Sequence, residues 1–507
     1  MTFETSSNLK NKSRNKLPHF PNQSGHLCTF IPLILGTLFL SLTSQGTIGQ
    51  ELLINEFMSD NESTITDQDG HYVDWIELYN ASSESINLSG YHLSDDATIP
   101  NKWAFPDIEI DSGAFLMVYA SGKNLIGPEL HTNFKISADG EKLLLTNPAG
   151  EVIDQWSAVP LIPDQSYGRI PDGGETILAY DQSTPAGSNG LVNQMLLSKS
   201  SGFYSDDFQL TVVSLLGDSV YYTLDGSVPT PSSNLYESPI LISDVNSEAN
   251  VLSEVQTSTD EFWLTPDGNV PKGTIIRLAS YKDGVQSSSV ISRTYFVNEQ
   301  GGYQPEMPIV SIIIEQESLF DHDTGIYVQG VNFDPDSPLW TGNYYQKGLE
   351  WERDAHVEYF DDTGEMEFAQ DAGIRVHGGG TRRLPQKSLR LTARSEYGRK
   401  YFYHPMFEGR DCEKYRELLL KTSMASWRAE TIINDAYASS VVEEMNLESL
   451  HQKPVAVYLN GEYWGIHYLS ERISEKYLEY VHEVDEDSVD IIAGNYDLIT
   501  IGSNSDY

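Results

Sequence analysis

From Leu52 to about residue 300 the chain is written in strand-length apolar alternations, which Asp, Asn, Gly and Ser clusters break about every 8 to 12 residues. Leu53-Ile54-Asn55-Glu56-Phe57, Asp74-Trp75-Ile76-Glu77-Leu78-Tyr79-Asn80 and Ala114-Phe115-Leu116-Met117-Val118-Tyr119 are examples, each suited to a pleated, half-buried surface. That pattern predicts all-β sandwiches. After Gly301-Gly302 a helical period appears for the first time beside continuing strands, so the class changes to mixed α and β. A chain of 507 residues, at ~100–200 residues per domain, predicts about three folded units. The expected units are β-sandwiches over 50–190 and 196–300, then an α+β domain over 305–507.

Residues 1–49 stand apart. Lys10, Lys12, Arg14 and Lys16 precede an apolar run from about Phe30 to Leu42, followed by Ser44, Gly46 and Gly49, which is the order of a secretory signal peptide. The run is shorter than the ~20 residues a spanning helix needs, which predicts a cleaved signal, no transmembrane anchor afterwards, and a secreted or cell-surface protein. The formal net charge of −42 sets up a field that repels phosphate backbones and anionic lipid, so no nucleic-acid partner is expected and small cations are. Only two cysteines, Cys28 and Cys412, are present, which excludes a disulfide scaffold and a cysteine zinc cluster. Cys28 precedes the apolar run and leaves with the leader, so Cys412 remains as a buried core thiol.

Between the first two strands, Asp60, Asn61 and Glu62 are followed by Asp67-Gln68-Asp69-Gly70 ahead of Asp74. Calcium takes about 6 to 8 hard oxygen ligands around a flexible loop, so Asp67, Asp69 and Asp74 are candidate Ca2+ ligands. The bidentate Glu of a helix–loop–helix site is missing, and a solvated acidic loop is the competing reading. The Ile54-Asn55-Glu56-Phe57 and Asp74-to-Asn80 strands, with Ile86-Asn87-Leu88-Ser89-Gly90-Tyr91-His92-Leu93-Ser94-Asp95, resemble the lamin-tail domain family. The resemblance implies an immunoglobulin-like sandwich with an accessory or adhesive role.

In the second segment, Val220-Tyr221-Tyr222-Thr223-Leu224-Asp225-Gly226 runs from a strand into an Asp-Gly turn, and further strands surround Thr274-to-Tyr281 and Thr294-to-Val297. With Ser232-Ser233-Asn234-Leu235-Tyr236 and Pro239-Ile240, these residues resemble the chitobiase and β-hexosaminidase carboxy-terminal module, which implies a fibronectin-like sandwich. The stretch from about Asp244 to Pro266 looks inserted relative to that pattern. Its aromatics read as core, not as a sugar platform.

In the third segment Pro308-Ile309-Val310-Ser311-Ile312-Ile313-Ile314 reads as a buried strand, and His356-to-Phe360 with Asp361, Asp362 and Gly364 as a strand entering a hairpin. Gly373-Ile374-Arg375-Val376-His377 then leads through Gly378, Gly379, Gly380, Thr381, Arg382 and Arg383 to Lys387-Ser388-Leu389-Arg390-Leu391: strand, basic glycine turn, strand. Three glycines let backbone N–H groups approach an anion closely, and Arg and Lys side chains can neutralise it. The turn is neither a Walker loop nor a dinucleotide fingerprint, and a plain hairpin whose basic groups pair acidic neighbours competes. Between Ser423 and Leu447 apolar residues recur at three and four, predicting an amphipathic helix with one face on the sheet. Pro454-to-Leu459 and Glu462-to-Glu471 form a hairpin turned at Asn460-Gly461.

Together, the Arg375-to-Leu391 unit, the helix near Trp427-Arg428 and the Tyr458-Leu459-Asn460-Gly461-Glu462-Tyr463-Trp464-Gly465 hairpin with Glu471 resemble the spore coat protein H kinase-like family. The family transfers the ATP γ-phosphate to Ser of exported or spore-coat proteins with magnesium. The resemblance implies that ATP and Mg2+ are cofactors and an exported protein the substrate. It implies catalytic roles for Lys387, in the family's Pro-x-Lys-Ser position, and for Glu471, with Arg375, Gly378, Gly379, Gly380, Arg382 and Lys387 binding the nucleotide. The family turn usually reads Arg-Gly-Asn-Ser-Thr, whereas here the Asn and Ser are replaced, and His377 reads as packing or a turn hydrogen bond, not as a base. The family's metal-binding aspartates come from a later stretch, which implies a domain truncated at Tyr507. Asp485, Glu486, Asp487, Asp490 and Asp497 match no motif and read as solvated. The alternative is a non-enzymatic surface or adhesion protein whose β modules bind calcium and a surface ligand.

Overall fold

The computed structural model describes residues 51–138, 140–157, 162–180, 183–189, 195–260, 263–298, 306–410, 412–422, 433–445, 449–482, 484–485, 488–493 and 498–501. The signal-like leader and the Trp427-Arg428 start of the expected helix lie outside them. Among the described residues no helix is long and apolar enough to cross a membrane.

The first region is a sandwich, as the two-residue period predicts. A five-stranded antiparallel sheet, in the order Thr176–Tyr180, Ser166–Ile170, Leu52–Met58, Trp75–Asn80, Phe115–Tyr119, faces a four-stranded sheet of Trp103–Ala104, His92–Ser94, Leu143–Thr146 and Val152–Trp156. Ile54, Ile76, Leu78 and Val118 from one sheet meet Leu93, Leu143, Leu145 and Trp156 from the other. The Leu52–Met58 strand is buried at every position. Its outward-facing Glu56 accepts hydrogen bonds from Thr184, so the loop 183–189 covers the second face of the sheet.

In the second region the sheet order is Gly202–Tyr204, Ile291–Val297, Thr274–Lys282, Ser219–Thr223, Asn234–Leu235, with short ribbons beside it. Val220, Ile276, Leu278 and Tyr295 meet Leu210 and Ile242 of the ribbons in its core.

The third region is a closed barrel in the order Ile309–Ile314, Arg353–Phe360, Met366–Val376, Leu389–Thr392, Glu417–Lys421, Glu462–Glu471, Gln452–Leu459, the last strand pairing in parallel with the first. Every residue of Ile309–Ile314 is buried, as its unbroken apolar run requires. Helices Gln316–Phe320, Asn434–Glu444 and Glu475–His482 are few beside seven strands, so the α+β expectation is met mainly by β. One expectation is corrected. Tyr437 and Val441 of the Asn434–Glu444 helix, with Ile433 and Met445 flanking it at the same four-residue spacing, are 67%, 41%, 55% and 63% exposed instead of packed on the sheet. Periodicity fixes which residues share a face, not what covers that face.

The Asn460-Gly461 turn does more than close its hairpin. Asn460 and Gly461 take φ of 44° and 83°, the conformation that favours this pair in tight hairpins. The Asn460 side chain accepts from Ile314 N at 2.8 Å and donates to Ile314 O at 2.7 Å and Asp225 O at 3.2 Å. Gly273 N donates to Gly461 O at 2.8 Å. Barrel and second module therefore share this turn, and an apolar seam of Phe296, Ile309, Phe360, Ala456 and Tyr458 runs beside it. Full burial of such side chains contributes about 1.5–3 kcal/mol each, so the two regions are energetically coupled. The first region is tied to the barrel by the Tyr403 hydroxyl, which donates to Asp164 Oδ2 at 2.8 Å, and by the Lys414–Glu62 ion pair.

Candidate functional site

The basic turn joins Met366–Val376 to Leu389–Thr392 through a short 3-10 turn, Gly380–Arg383. Gly378 has φ of +110°, and a Cβ there would meet Thr381 Oγ1 at 2.8 Å, so glycine is required. Its guanidinium groups are engaged internally. Arg382 donates from Nε to Gly378 O at 2.6 Å and from Nη1 to Tyr344 O and Gln346 O, both at 3.1 Å, stapling the turn. Arg375 pairs with Glu352 at 2.9 Å and donates to Gly348 O, and Arg383 pairs with Asp260 at 2.6 Å. Burial, with Arg472, Arg382 and Lys421 nearby, pushes His377 down to about 4, leaving a neutral ring at neutral pH.

Lys387 lies at the start of the return strand and is wholly buried. Its Nζ donates to Thr257 O at 3.0 Å and Leu384 O at 2.7 Å. The same ammonium lies 4.7 Å from the ring centroid of Tyr327 and 4.9 Å from that of Tyr344, within cation–π range. The Tyr327 hydroxyl accepts from Lys387 N at 2.9 Å and Trp464 Nε1 at 3.0 Å. Among the described residues no carboxylate faces Lys387, and burial holds its ammonium well below the usual lysine range.

Thr257 belongs to the stretch that looks inserted in the second module. That insertion lies over the start of the strand. Ser258 Oγ donates to Arg383 O at 2.6 Å, and Leu252 enters the barrel core. The Glu462 carboxylate accepts from the N–H groups of Val251, Leu252 and Ser253 at 2.5, 3.1 and 3.0 Å, capping a short 3-10 turn, Leu252–Glu254. A cleft of about 370 Å³ lined by Ser258, Phe320, His322 and Gln329 lies along it, and another of about 350 Å³ is lined by Thr257, Trp263, Gln386 and Trp464. Sequence reasoning missed this contact because the group that reaches Lys387 is a backbone carbonyl, which leaves no mark on residue type.

Glu471 is wholly buried at the end of its strand, where it accepts from Arg410 Nη2 at 2.9 Å and His451 N at 2.8 Å. The structure does not bring it to Lys387: the polar partners of the two do not overlap. In this arrangement Lys387 does not fit a nucleotide phosphate, because its ammonium is sealed by carbonyls and rings. Among the described residues no carboxylate stands beside it to hold Mg2+.

The acidic loop of the first module is partly assembled. Asp67, Asp69 and His71 bring ligand atoms within 4.8 Å of one another. The Lys123 ammonium lies 2.5 Å from Asp67 Oδ2 and 2.7 Å from Asp69 Oδ2, supplying a positive charge between them. Burial acts to raise the Asp67 carboxyl, but hydrogen bonds from Lys123 and the N–H groups of His71 and Asp69 hold it below its usual range. Asp74 stands outside this group. It accepts from Asn61 N at 3.4 Å, and burial, with Asp60 nearby, raises it to about 6. Cys412 is buried in the barrel core, with Sγ 3.2 Å from Lys414 O.

Residues 374–506 match the family described as CotH kinase protein, residues 47–160 the lamin tail domain, and residues 199–292 the chitobiase/beta-hexosaminidase C-terminal domain. These are the three families the motifs resemble, in the same order along the chain. The chain has no match among curated proteins. The closed barrel takes two strands, Ile309–Ile314 and Arg353–Phe360, from before the first of these matches.

Proposed function

We propose that the barrel region is a phosphotransferase of the CotH kinase type, exported and carried on two β modules, which uses ATP and Mg2+ to modify Ser of an exported protein. The match over residues 374–506 carries this reading, and Lys387 stands in the strand–turn–strand within it. A buried ammonium with no carboxylate beside it among the described residues is costly. Phosphoryl transfer asks a protein mainly for positioning and for positive charge around the phosphates. In the described arrangement the insertion caps Lys387.

The test is Mg2+-dependent ATP binding to the full chain, measured by calorimetry beside a Lys387→Met variant. Binding that falls at least tenfold in the variant supports the assignment. Equal affinity in both removes Lys387 from the site. A second reading is a non-enzymatic surface protein whose β modules bind Ca2+, for which Asp67, Asp69 and His71 bring ligand atoms within 4.8 Å of one another. That reading expects a calcium-dependent rise in melting temperature, reversed by chelator, with no effect of ATP.

A further inference from the structure

The insertion of the second module and the barrel enclose a cleft between them, the one of about 350 Å³ that Thr257 and Gln386 line. Small-molecule sites run from ~300 to ~1,000 Å³, so this volume suffices for one ring-sized ligand. Its walls come from two parts of the chain. Trp263 and Leu264 belong to the insertion, while Gln386 precedes the return strand and Tyr463 and Trp464 lie on the Glu462–Glu471 strand.

The sequence reading puts the insertion's aromatics in a core, but Trp263 is partly buried and lines the cleft instead. Among the described residues no other ring packs on it and nothing accepts from its indole N–H. Trp464, by contrast, is held in place. Its Nε1 donates to the Tyr327 hydroxyl at 3.0 Å, and its ring centroid lies 5.5 Å from that of Tyr327 and 6.0 Å from that of Phe320. Gln386 is fixed by its Nε2, which donates to Ile466 O at 3.2 Å and leaves Oε1 as an unused acceptor. Gly465 makes room for that amide: its φ is +111°, and a Cβ there would lie 2.5 Å from Gln386 Nε2. Ser253, also on the lining, keeps a buried hydroxyl with no hydrogen-bond partner, and such orphans call for an explanation.

Charge is missing from this cleft. Among the described lining residues none is Asp, Glu, Lys, Arg or His, in a chain with 21% charged residues and a net charge of −42. A phosphate, a carboxylate or an ammonium finds no counter-ion among them. What the walls offer is aromatic faces beside neutral donors and acceptors: an indole N–H, an amide oxygen and a hydroxyl. A pyranose has the matching make-up, with a C–H face that lies on an aromatic ring and a rim of hydroxyls that both donate and accept.

We propose that this cleft binds a neutral carbohydrate, one sugar ring stacking on Trp263 while Gln386 Oε1 accepts from its hydroxyls. The site is separate from the phosphotransferase reading and does not use Lys387. Because the walls belong to two modules, a bound sugar also ties the insertion to the barrel.

The experiment is calorimetric titration of the full chain with cellotetraose, chitotetraose and maltotetraose, and with adenosine as a neutral ligand that is flat and aromatic. Tryptophan fluorescence is followed in parallel, on wild type, Trp263→Ala, Gln386→Ala and Lys387→Met. The expected result is that at least one tetrasaccharide binds and shifts the tryptophan emission. That binding weakens at least tenfold in Trp263→Ala, weakens in Gln386→Ala and persists in Lys387→Met, whichever way the ATP test falls. If Trp263→Ala does not fold, Trp263→Gln and Gln386→Ala carry the comparison. Failure of all three sugars to bind, binding undiminished by the Trp263 substitution, or binding lost in folded Lys387→Met overturns the proposal. Adenosine binding as tightly as any sugar also overturns it and assigns the cleft to a planar base.

Discussion

The Lys387 ammonium lies 3.0 Å from the carbonyl oxygen of Thr257, a residue 130 positions earlier and in another module. The contact joins the residue that the CotH resemblance singles out to a stretch that the sandwich pattern of its own module does not need. Its physical content is a charge solvated by carbonyls and aromatic faces in place of water or a carboxylate.

Stability should carry the mark of that burial. The Lys387 pKa is depressed on folding, so between the folded and unfolded values the unfolded chain binds more protons and stability rises with pH. The penalty is complete below the folded value and vanishes above the unfolded one, near pH 10.4. Lys387→Met removes it. We expect the variant to be as stable as wild type or up to about 2 kcal/mol more stable at neutral pH, with a flatter pH dependence of urea unfolding. A variant clearly less stable than wild type would show that the ammonium is a net stabiliser.

Glu462 holds the insertion by three N–H groups, and Glu462→Ala leaves those donors without it. The expected cost is about 2–3 kcal/mol. Limited proteolysis should then cut between Asn246 and Pro266 before any other site, and an unchanged digestion pattern counts against the latch.

Glu471 is assigned a structural role by its contacts. Replacing it with Gln leaves the Arg410 guanidinium buried beside a neutral amide, with an expected loss of about 3 kcal/mol. Chemical denaturation of Glu471→Gln measures this, and a loss under about 0.5 kcal/mol contradicts the pairing.

Gly461→Ala tests the shared turn. The residue has φ of 83°, and a Cβ there would lie 2.1 Å from Gly273 O, which is backbone and cannot swing aside. We expect destabilisation of about 2–4 kcal/mol. Calorimetry should also show separate melting of the second module and the barrel in place of one coupled transition.

Much of the fold was readable because strands leave a two-residue signature, as in Trp75-to-Asn80, and because Asn460-Gly461 has few other uses. The closed barrel was not readable, since nothing in Ile309–Ile314 or Gln452–Leu459 names its parallel partner. The basic residues of the turn were visible as charges, but their partners were not. Arg375 reaches Glu352 and Arg382 reaches three carbonyls, choices made by tertiary geometry. Likewise, alternation places Glu56 and Glu77 off the apolar face of their strands. Only the bulge at Asn55 and the cover of loop 183–189 turn those positions from a wet surface into a buried one.

The parallel pairing of Ile309 with Ala456 and Val310 with Val457 sets a schedule for the newborn chain. Its first barrel strand leaves the ribosome about 150 residues before the strand that seals it, an interval of roughly 8–30 s at ordinary elongation rates. Arg353–Phe360 follows to pair with one edge of Ile309–Ile314, but throughout that time the other edge lacks its parallel partner. Phe296, already fixed in the finished module upstream, offers Ile309 a place to rest. The upstream module is thus placed to shelter the nascent barrel from aggregation until its last strand arrives.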